Sequence, residues 1–565
     1  MNDQRNLILA SVLAIAVLLG FNFFYDAPRQ QQQMQAKITA QTEQVTEPQA
    51  PAQEAEKITV VDRAQALTES KRIKINAPMV HGSINLTGAH LDDVTLAEYH
   101  ETTDSQSLEI QLLSPKTIQN PYYVDFGWLS KQPDLNLPTK TTVWQTNHTE
   151  LTPKQPVVLT WNNGQGVTFK RTISIDDQYM FTVTDEVVNS SKNPLSLNAY
   201  GQITRGGTPQ TGGYFILHEG PIGVINGKLV ELDYKKLLDK GQQQQSTTGG
   251  WLGITDKYWL VSLIPTQNTS VDTRFKAHTL DGVDYYQTET VYPTIEVAKG
   301  ETQSVTQHLF AGAKNLKILD EYEEKIGVSK FDLAIDFGWF YFLTKPVFYL
   351  LDYLHKIFGN FGIAILVMTV LFKIAFFPLA NKSYRSMARM KQMQPKIEQL
   401  KKRYGDDKMR MNQELMEIYK REKINPLSGC LPILIQAPVF FCLYKVLFVT
   451  LEMRHAPFFG WIHDLSAPDP TSVFNLFGLL PFMPPSFLMI GAWPILMGLT
   501  MFLQQKLNPQ PTDPAQAKAF MIMPIFLTFL LSSFPAGLVI YWAWSNILSI
   551  IQQWAIMRLD TKKDA

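Results

Sequence analysis

Cysteine is nearly missing from this chain: only Cys430 and Cys442 occur, twelve positions apart in one apolar stretch. That spacing matches neither a disulfide framework nor a zinc motif, and both thiols are expected to be buried packing residues. An excess of charge is missing too, since 51 Lys and Arg balance 51 Asp and Glu. No global field therefore argues for a nucleic-acid or an acidic partner. Signatures of catalysis also fail. The run Gly223-Val-Ile-Asn-Gly227-Lys228 has the wrong spacing for a phosphate loop and continues into Leu229 instead of Ser or Thr. His218-Glu219 lacks the second histidine of a zinc protease, and the ten histidines form no tight cluster. No enzyme activity, cofactor or metal site is expected.

What the chain does have is apolar residues, 45% of the total, and they are distributed unevenly. Residues 7–24 form one apolar run, about 27 Å long as a helix and close to the thickness of a hydrocarbon core. It ends in Phe21, Phe23, Phe24 and Tyr25 with no small-x-small cleavage pattern directly after, which favours a retained anchor (1–25) over a cleaved signal peptide. Residues 26–57 are rich in Gln, Ala, Pro and Glu with almost no aromatics, the composition of a disordered tether. From 58 to 330 the texture changes to short β-branched and aromatic runs separated by Gly, Asn, Asp and Pro. Val167, Phe169, Arg171, Ile173 and Ile175 alternate with polar neighbours, Asp176-Asp177 supplies a turn, and Phe181, Val183 and Val187 continue. This pattern predicts a hairpin within one large antiparallel β-sandwich.

After Lys330 the periodicity becomes helical. In 331–358 the polar Lys345, Asp352 and Lys356 share one side of a helix and Val347, Leu350, Leu351, Leu354 and Phe358 the other, so the segment is expected to lie in a membrane interface. Five spans are expected within 359–557: residues 361–379, 427–450, 487–507, 520–534 and 538–557. With the first anchor this makes an all-α bundle of six transmembrane helices. Residues 476–485 are apolar but broken by Pro481, Pro484 and Pro485, and read as a loop dipping into the membrane. Residues 381–423 hold thirteen Lys or Arg against six Asp or Glu, whereas Arg454 is the one Lys or Arg of 451–475. The first loop is therefore assigned to the cytoplasm, together with both termini and a short tail, 558–565; the β domain falls outside, in a periplasm.

Lys373 lies inside an expected span with apolar residues on both sides, and an intramembrane charge of this kind marks a functional site unless it snorkels to the interface. Thr369 stands four residues earlier on the same face. Gln436, Gln504, Gln505, Ser545, Asn546, Gln552 and Gln553 give the neighbouring spans polar groups of their own. These suit a wet concavity, or alternatively hydrogen bonds between helices. The loop 381–424 reads as a helical hairpin: Met390, Met393, Ile397, Leu400 and Tyr404 recur at helical spacing, Gly405-Asp406-Asp407 turns, and Met411, Leu415 and Ile418 return. Two readings of other classes stand beside a wet concavity. Lys373 would be an anion or proton site in a transporter, although no paired broken half-repeats appear. Alternatively the membrane part merely anchors a partner-binding or carbohydrate-binding β domain.

Several ordered runs carry a family resemblance. Lys423-Ile-Asn-Pro-Leu-Ser-Gly-Cys430-Leu-Pro-Ile-Leu-Ile-Gln436-Ala-Pro438 resembles the third-span signature of the YidC, Oxa and Alb insertases. Arg454-His-Ala-Pro-Phe and Trp461-Ile-His-Asp-Leu-Ser-Ala-Pro-Asp-Pro470 resemble their periplasmic loop, and Phe534-Pro-Ala-Gly-Leu538 with Ser545-Asn546 their last two spans. The resemblance covers essentially the whole chain. It implies a five-helix core with a hydrophilic groove, a periplasmic β-supersandwich and residence in a bacterial inner membrane. The activity it implies is insertion and folding of membrane proteins, alone or with the Sec translocon. Lys373 stands where the family usually has arginine; Thr369, Gln436, Tyr541, Trp542, Ser545 and Asn546 fall on the implied groove, with Trp542 where many relatives have tyrosine. The partners implied are nascent membrane proteins, Sec components, lipids, and the ribosome or signal-recognition machinery. The last of these would dock through Arg389, Lys391, Lys401, Lys402 and Arg403 of the hairpin, with no other nucleic-acid contact.

Overall fold

The computed structural model describes residues 61–104, 106–209, 217–338, 340–404, 407–422, 431–480, 482, 484–485, 488–508 and 514–561. The expected anchor and tether, Gly405 and Asp406 of the hairpin turn, the 423–430 half of the signature with Cys430, and the end of the tail lie outside the described residues. Two compact units are present, one built from 61–338 and the other from 340–448 and 452–561.

The first unit is a two-sheet β-sandwich. One sheet runs Gln242–Thr248, Ser270–Leu280, Val283–Val291, Leu195–Gly206, Tyr122–Leu129, His90–His100, Val80–Asn85, Arg72–Asn76 and Glu150–Leu151. Ile295–Val297 pairs with Leu195–Gly206, and Glu109–Leu113 with His90–His100. The other runs Lys228–Glu231, Gly220–Ile225, Trp251–Thr255, Trp259–Ile264, Thr302–Ala313, Met180–Asn189, Val167–Ile175 and Val157–Asn162.

The hairpin at 167–189 illustrates why these residues pair. Alternate side chains of Val167–Ile175 are buried, and Val167 registers with Asn189 and Ile175 with Phe181. Asp176 closes the turn: its Oδ1 accepts from the Gln178 and Met180 amides, and its Oδ2 from the Tyr322 hydroxyl at 2.7 Å. Arg171 occupies an inward position of this alternation. It is buried against Asp185, with Nε to Oδ1 at 2.7 Å, and its guanidinium lies over the Phe126 and Trp144 rings. Tyr122–Leu129 is buried on both faces, so period-two alternation cannot reveal it.

The sandwich unit continues past Lys330. Phe331, Ala334, Ile335 and Phe337 are buried, Phe331 against the rings of Trp251 and Phe310, and the Trp251 indole donates to the Lys330 carbonyl. Residues 331–338 therefore belong to the β unit, and the helical part begins later than the sequence suggests.

The helices of the second unit are α1 (Tyr341–Phe358), α2 (Phe361–Ala375), α3 (Phe377–Gln392), α4 (Gln394–Tyr404), α5 (Lys408–Arg421), α6 (Leu431–Val449), α7 (Ala492–Leu507), α8 (Pro514–Leu531) and α9 (Ala536–Thr561). Among the described residues no single helix is long and apolar enough to cross a membrane; α2 and α3 together pass that test but are bent by 70°. The expected span 361–379 is thus broken at Phe376, just before Pro378 in the first turn of α3. α1 also departs from expectation. Asp352 is buried with Val347, Phe348, Leu351 and Leu354 and pairs with Lys356 at 3.4 Å, while Phe342, Tyr349, Tyr353, Ile357 and Phe358 are exposed. A buried carboxylate with a pairing cation one turn away is tolerated on the packed face, and the aromatic side is left outward.

A loop closes one end of the helices. Asn360 donates to the Pro457 carbonyl, Gly362 leaves room for the Phe458 ring, and the amides of Ala536 and Gly537 donate to the carbonyls of Ala467 and Leu465. At Gly362 any Cβ would collide with Phe458, so glycine is required by close approach.

Candidate functional site

The α2 to α9 helices enclose a cavity of ≈ 480 Å³ lined by residues of α2, α3, α6, α7, α8 and α9. Thr369 and Lys373 lie four apart on α2 and both reach it, as one helical face requires. From α9 come Tyr541, Trp542, Ser545, Asn546, Ser549 and Gln552, and from α6 Gln436. Among the described lining residues there is no Asp or Glu, and Lys373 brings its charge in among neutral polar and apolar groups.

Lys373 is held by hydrogen bonds. Its Nζ donates to Gln436 Oε1 at 3.2 Å and to Ser549 Oγ at 2.8 Å. Gln436 is fixed in turn, its Nε2 donating to the Tyr541 hydroxyl and to Ser545 Oγ at 3.0 Å. Ser549 donates to the Ser545 carbonyl, and Tyr384 of α3 lines the same cavity. Gln552 donates to the Lys373 carbonyl in the last turn of α2 at 3.4 Å. Among the described residues the acceptors of the ammonium are therefore neutral, and each is locked by a second contact.

The other expected residues are distributed less uniformly. Thr369 lines the cavity, but its hydroxyl donates to the Ile365 carbonyl of its own helix at 2.6 Å. Asn546 turns toward Thr500 of α7 at 3.3 Å, and Trp542 packs edge-on against Phe440. Gln504, Gln505 and Asn508 line the α7 side, whereas Gln553 donates to the Leu507 carbonyl at 3.3 Å. Ser549 and Tyr384 were not foreseen from sequence. The signal was present for Ser549: Ser545, Ser549 and Gln552 are spaced 4 and 3 apart, one polar stripe on α9.

The hairpin of α4 and α5 buries Met393, Ile397 and Tyr419 against Met390, Leu415 and Ile418. Lys396 reaches Glu422 at 3.7 Å across it. Arg389, Lys402 and Arg403 are exposed; Lys401 lies on α4. Lys391 differs, since its Nζ donates to the Leu507 carbonyl at the end of α7, where a helix C-terminus favours a cation.

A two-sheet domain followed by apolar helices around a singly cationic cavity defines the class: a two-part membrane protein. Residues 72–350 match the YidC periplasmic domain family and residues 353–564 the 60Kd inner membrane protein family. The membrane protein insertase YidC of Methylobacterium sp. (strain 4-46) is 48% identical over 601 residues, covering 100% of this chain and 96% of the relative. That of Methylobacterium nodulans is 50% identical over 582 residues with the same coverage. A solved structure of an active YidC insertase with its first transmembrane domain resolved is 17% identical, with a TM-score of 0.36, covering 88% of this chain and 94% of that one. The chain belongs to the YidC family of inner-membrane protein insertases, whose members are named as insertases and not as enzymes.

Proposed function

We propose that the cavity is the groove through which this chain, acting as a membrane protein insertase, passes the polar flank of an incoming transmembrane segment. The observation that carries this reading is Lys373, a cation whose ligands Gln436 and Ser549 are neutral, in a cavity with no carboxylate among its described lining residues. A charge so placed attracts an acidic flank, and the polar walls shorten the hydrocarbon path that the flank must cross. The apolar body of the segment then slides along exposed Phe520, Met521, Ile525 and Phe529 of α8 into lipid. Burying about twenty apolar residues is strongly favourable at roughly 25 cal/mol per Å², so the protein need only lower the barrier, consistent with the absence of a nucleotide motif.

In this reading the chain makes six spans with both termini in the cytoplasm and the sandwich in the periplasm. The helices from α2 onward form the five-span core, short helices being accommodated by bending, local thinning or flanking polar residues. Arg389, Lys402 and Arg403 are exposed and available to receive the ribosome or the signal-recognition machinery, with Lys401 on the same hairpin as a further candidate. Action alone or beside the Sec translocon is compatible with this reading.

The test is photo-crosslinking from Thr369, Gln436 and Trp542 to a stalled nascent chain bearing one transmembrane segment, in inverted membrane vesicles. Crosslinks from all three positions that weaken as the chain lengthens are the expected result. Their absence at every chain length would leave a transporter or a scaffold as the function.

A further inference from the structure

From Pro470 to Gln505, between Asp469 and Lys506, no side chain is ionisable. The first part of this stretch is a tight turn, Val473–Gly478, and its apolar side chains point outward. Val473, Phe474, Leu476, Phe477, Leu479 and Phe482 are between 38% and 82% exposed. Patches of this kind are avoided on water-facing surfaces.

Among the described residues, the backbone beneath the patch makes local hydrogen bonds. The amide of Phe477 donates to the Ser472 carbonyl, Leu480 to Asn475, and Phe482 to Leu480, while the Asn475 side chain donates to the Phe482 carbonyl. Leu476 and Phe477 sit at φ 51° and 58°, a left-handed conformation that side chains with a Cβ rarely adopt and that these bonds hold in place. The base is built into α7. Buried Asp469 accepts from the Trp461 indole, from Thr471 and from the Trp493 amide, and the Val473 amide donates to the Ile490 carbonyl.

We propose that this turn is an interfacial lipid anchor, seated in the acyl boundary of a bilayer next to the start of α7. Three observations select lipid as the occupant. A protein partner would meet a polar or charged rim, and the stretch has no charge to supply one. Locally hydrogen-bonded backbone is what hydrocarbon demands and water does not. Leu496, Leu499 and Leu503 of α7, the helix on which the base of the turn is built, are exposed as well. The inference rests on the membrane reading of the helices but not on the groove.

The test uses the full chain with Cys430→Ser and Cys442→Ala, a fluorophore sensitive to polarity on Leu479→Cys, and vesicles of phosphatidylcholine carrying doxyl groups at shallow or deep acyl positions. Blue-shifted emission, quenched at least twofold by shallow doxyl lipid and unaffected by aqueous iodide, is expected. A label on Asn226→Cys in the β unit, exposed at a tight turn, supplies the aqueous reference. Iodide quenching at Leu479 would overturn the anchor. So would blue-shifted emission insensitive to doxyl lipid, which would mean that a substrate segment or a second copy covers the patch. Phe482→Cys repeats the measurement should Leu479→Cys misfold. Loss of the groove crosslinks with lipid quenching intact would remove the groove alone.

Discussion

At the scale of single residues, Lys373 is defined by what surrounds it. A lysine is a compact point charge with three donors, and two of these are taken by Gln436 and Ser549. Lys373→Arg keeps the charge and is expected to insert substrates within about threefold of the parent. Lys373→Glu reverses the attraction and should lower insertion of substrates with acidic translocated ends by about tenfold or more, an effect of about 1.4 kcal/mol. Comparing acidic with neutral flanks in the same vesicle assay checks this, and equal insertion by both variants would take the charge out of the mechanism. Lys314 of the β unit gives a second residue-level prediction. Its ammonium is buried, donating to Thr255 Oγ1 at 2.9 Å, and burial pushes its pKa from 10.5 to about 8 against the pull of Asp256, Asp336 and Glu219. Below pH 8 both folded and unfolded chains carry the charge, and its burial is destabilising. Between about 8 and 10.5 the unfolded chain binds more protons, so stability rises with pH, by on the order of 3 kcal/mol in total. The difference in urea midpoint between the parent and Lys314→Met, followed by the β-sheet signal, should shrink across that window.

At the scale of elements, the hairpin at 167–189 joins alternation to a buried ion pair. Arg171 and Asp185 face each other at the centre of its register, both almost fully excluded from solvent. Removing one partner leaves an unpaired buried charge, so Arg171→Ala is expected to destabilise the β unit by about 3–5 kcal/mol. Arg171→Met with Asp185→Leu should recover most of that loss, since two apolar side chains leave no charge to compensate. A double-mutant cycle on urea midpoints measures the coupling, and additive single effects would mean that the pair does not act as one. The hairpin was legible in sequence because Val167, Phe169, Ile173 and Ile175 alternate. The inward course of Arg171 was legible only as its place in that alternation. Tyr122–Leu129 was not, because both of its faces are covered and the pattern carries no period.

At the scale of the whole molecule, every side chain lining the cavity comes from between Thr369 and Gln552. None of the described lining residues comes from the sandwich. Replacing residues 72–338 by a short linker is therefore expected to leave the crosslinks from Gln436 and Trp542 within about twofold of the full chain, since bonds that set the cavity geometry are retained. Loss of those crosslinks in a chain that still reaches the membrane would assign the sandwich a part in shaping the groove. The same division explains why the boundary between the units moves from Lys330 to Gly338. Phe331, Ile335 and Phe337 resemble the start of an apolar helix in one dimension, but the Trp251 and Phe310 rings bury Phe331 in the sandwich.

Sequence by itself determined the two-part build, the β texture of the first part, the helical hairpin with its methionine core, and the cation at Lys373. Each follows from local period or from a charge placed among apolar neighbours, and neither needs a distant contact to be read. Only the tertiary structure decided which polar groups meet Lys373. Gln436 and Ser549 are 63 and 176 positions away, and nothing in local sequence tells that their oxygens converge on one ammonium. It also decided that the Thr369 hydroxyl is spent on its own helix, that Lys391 ties α3 to the end of α7, and that Asp352 faces inward. These are matters of which acceptor lies nearest once the helices pack, and the bend of 70° between α2 and α3 redirects the chain after Ala375.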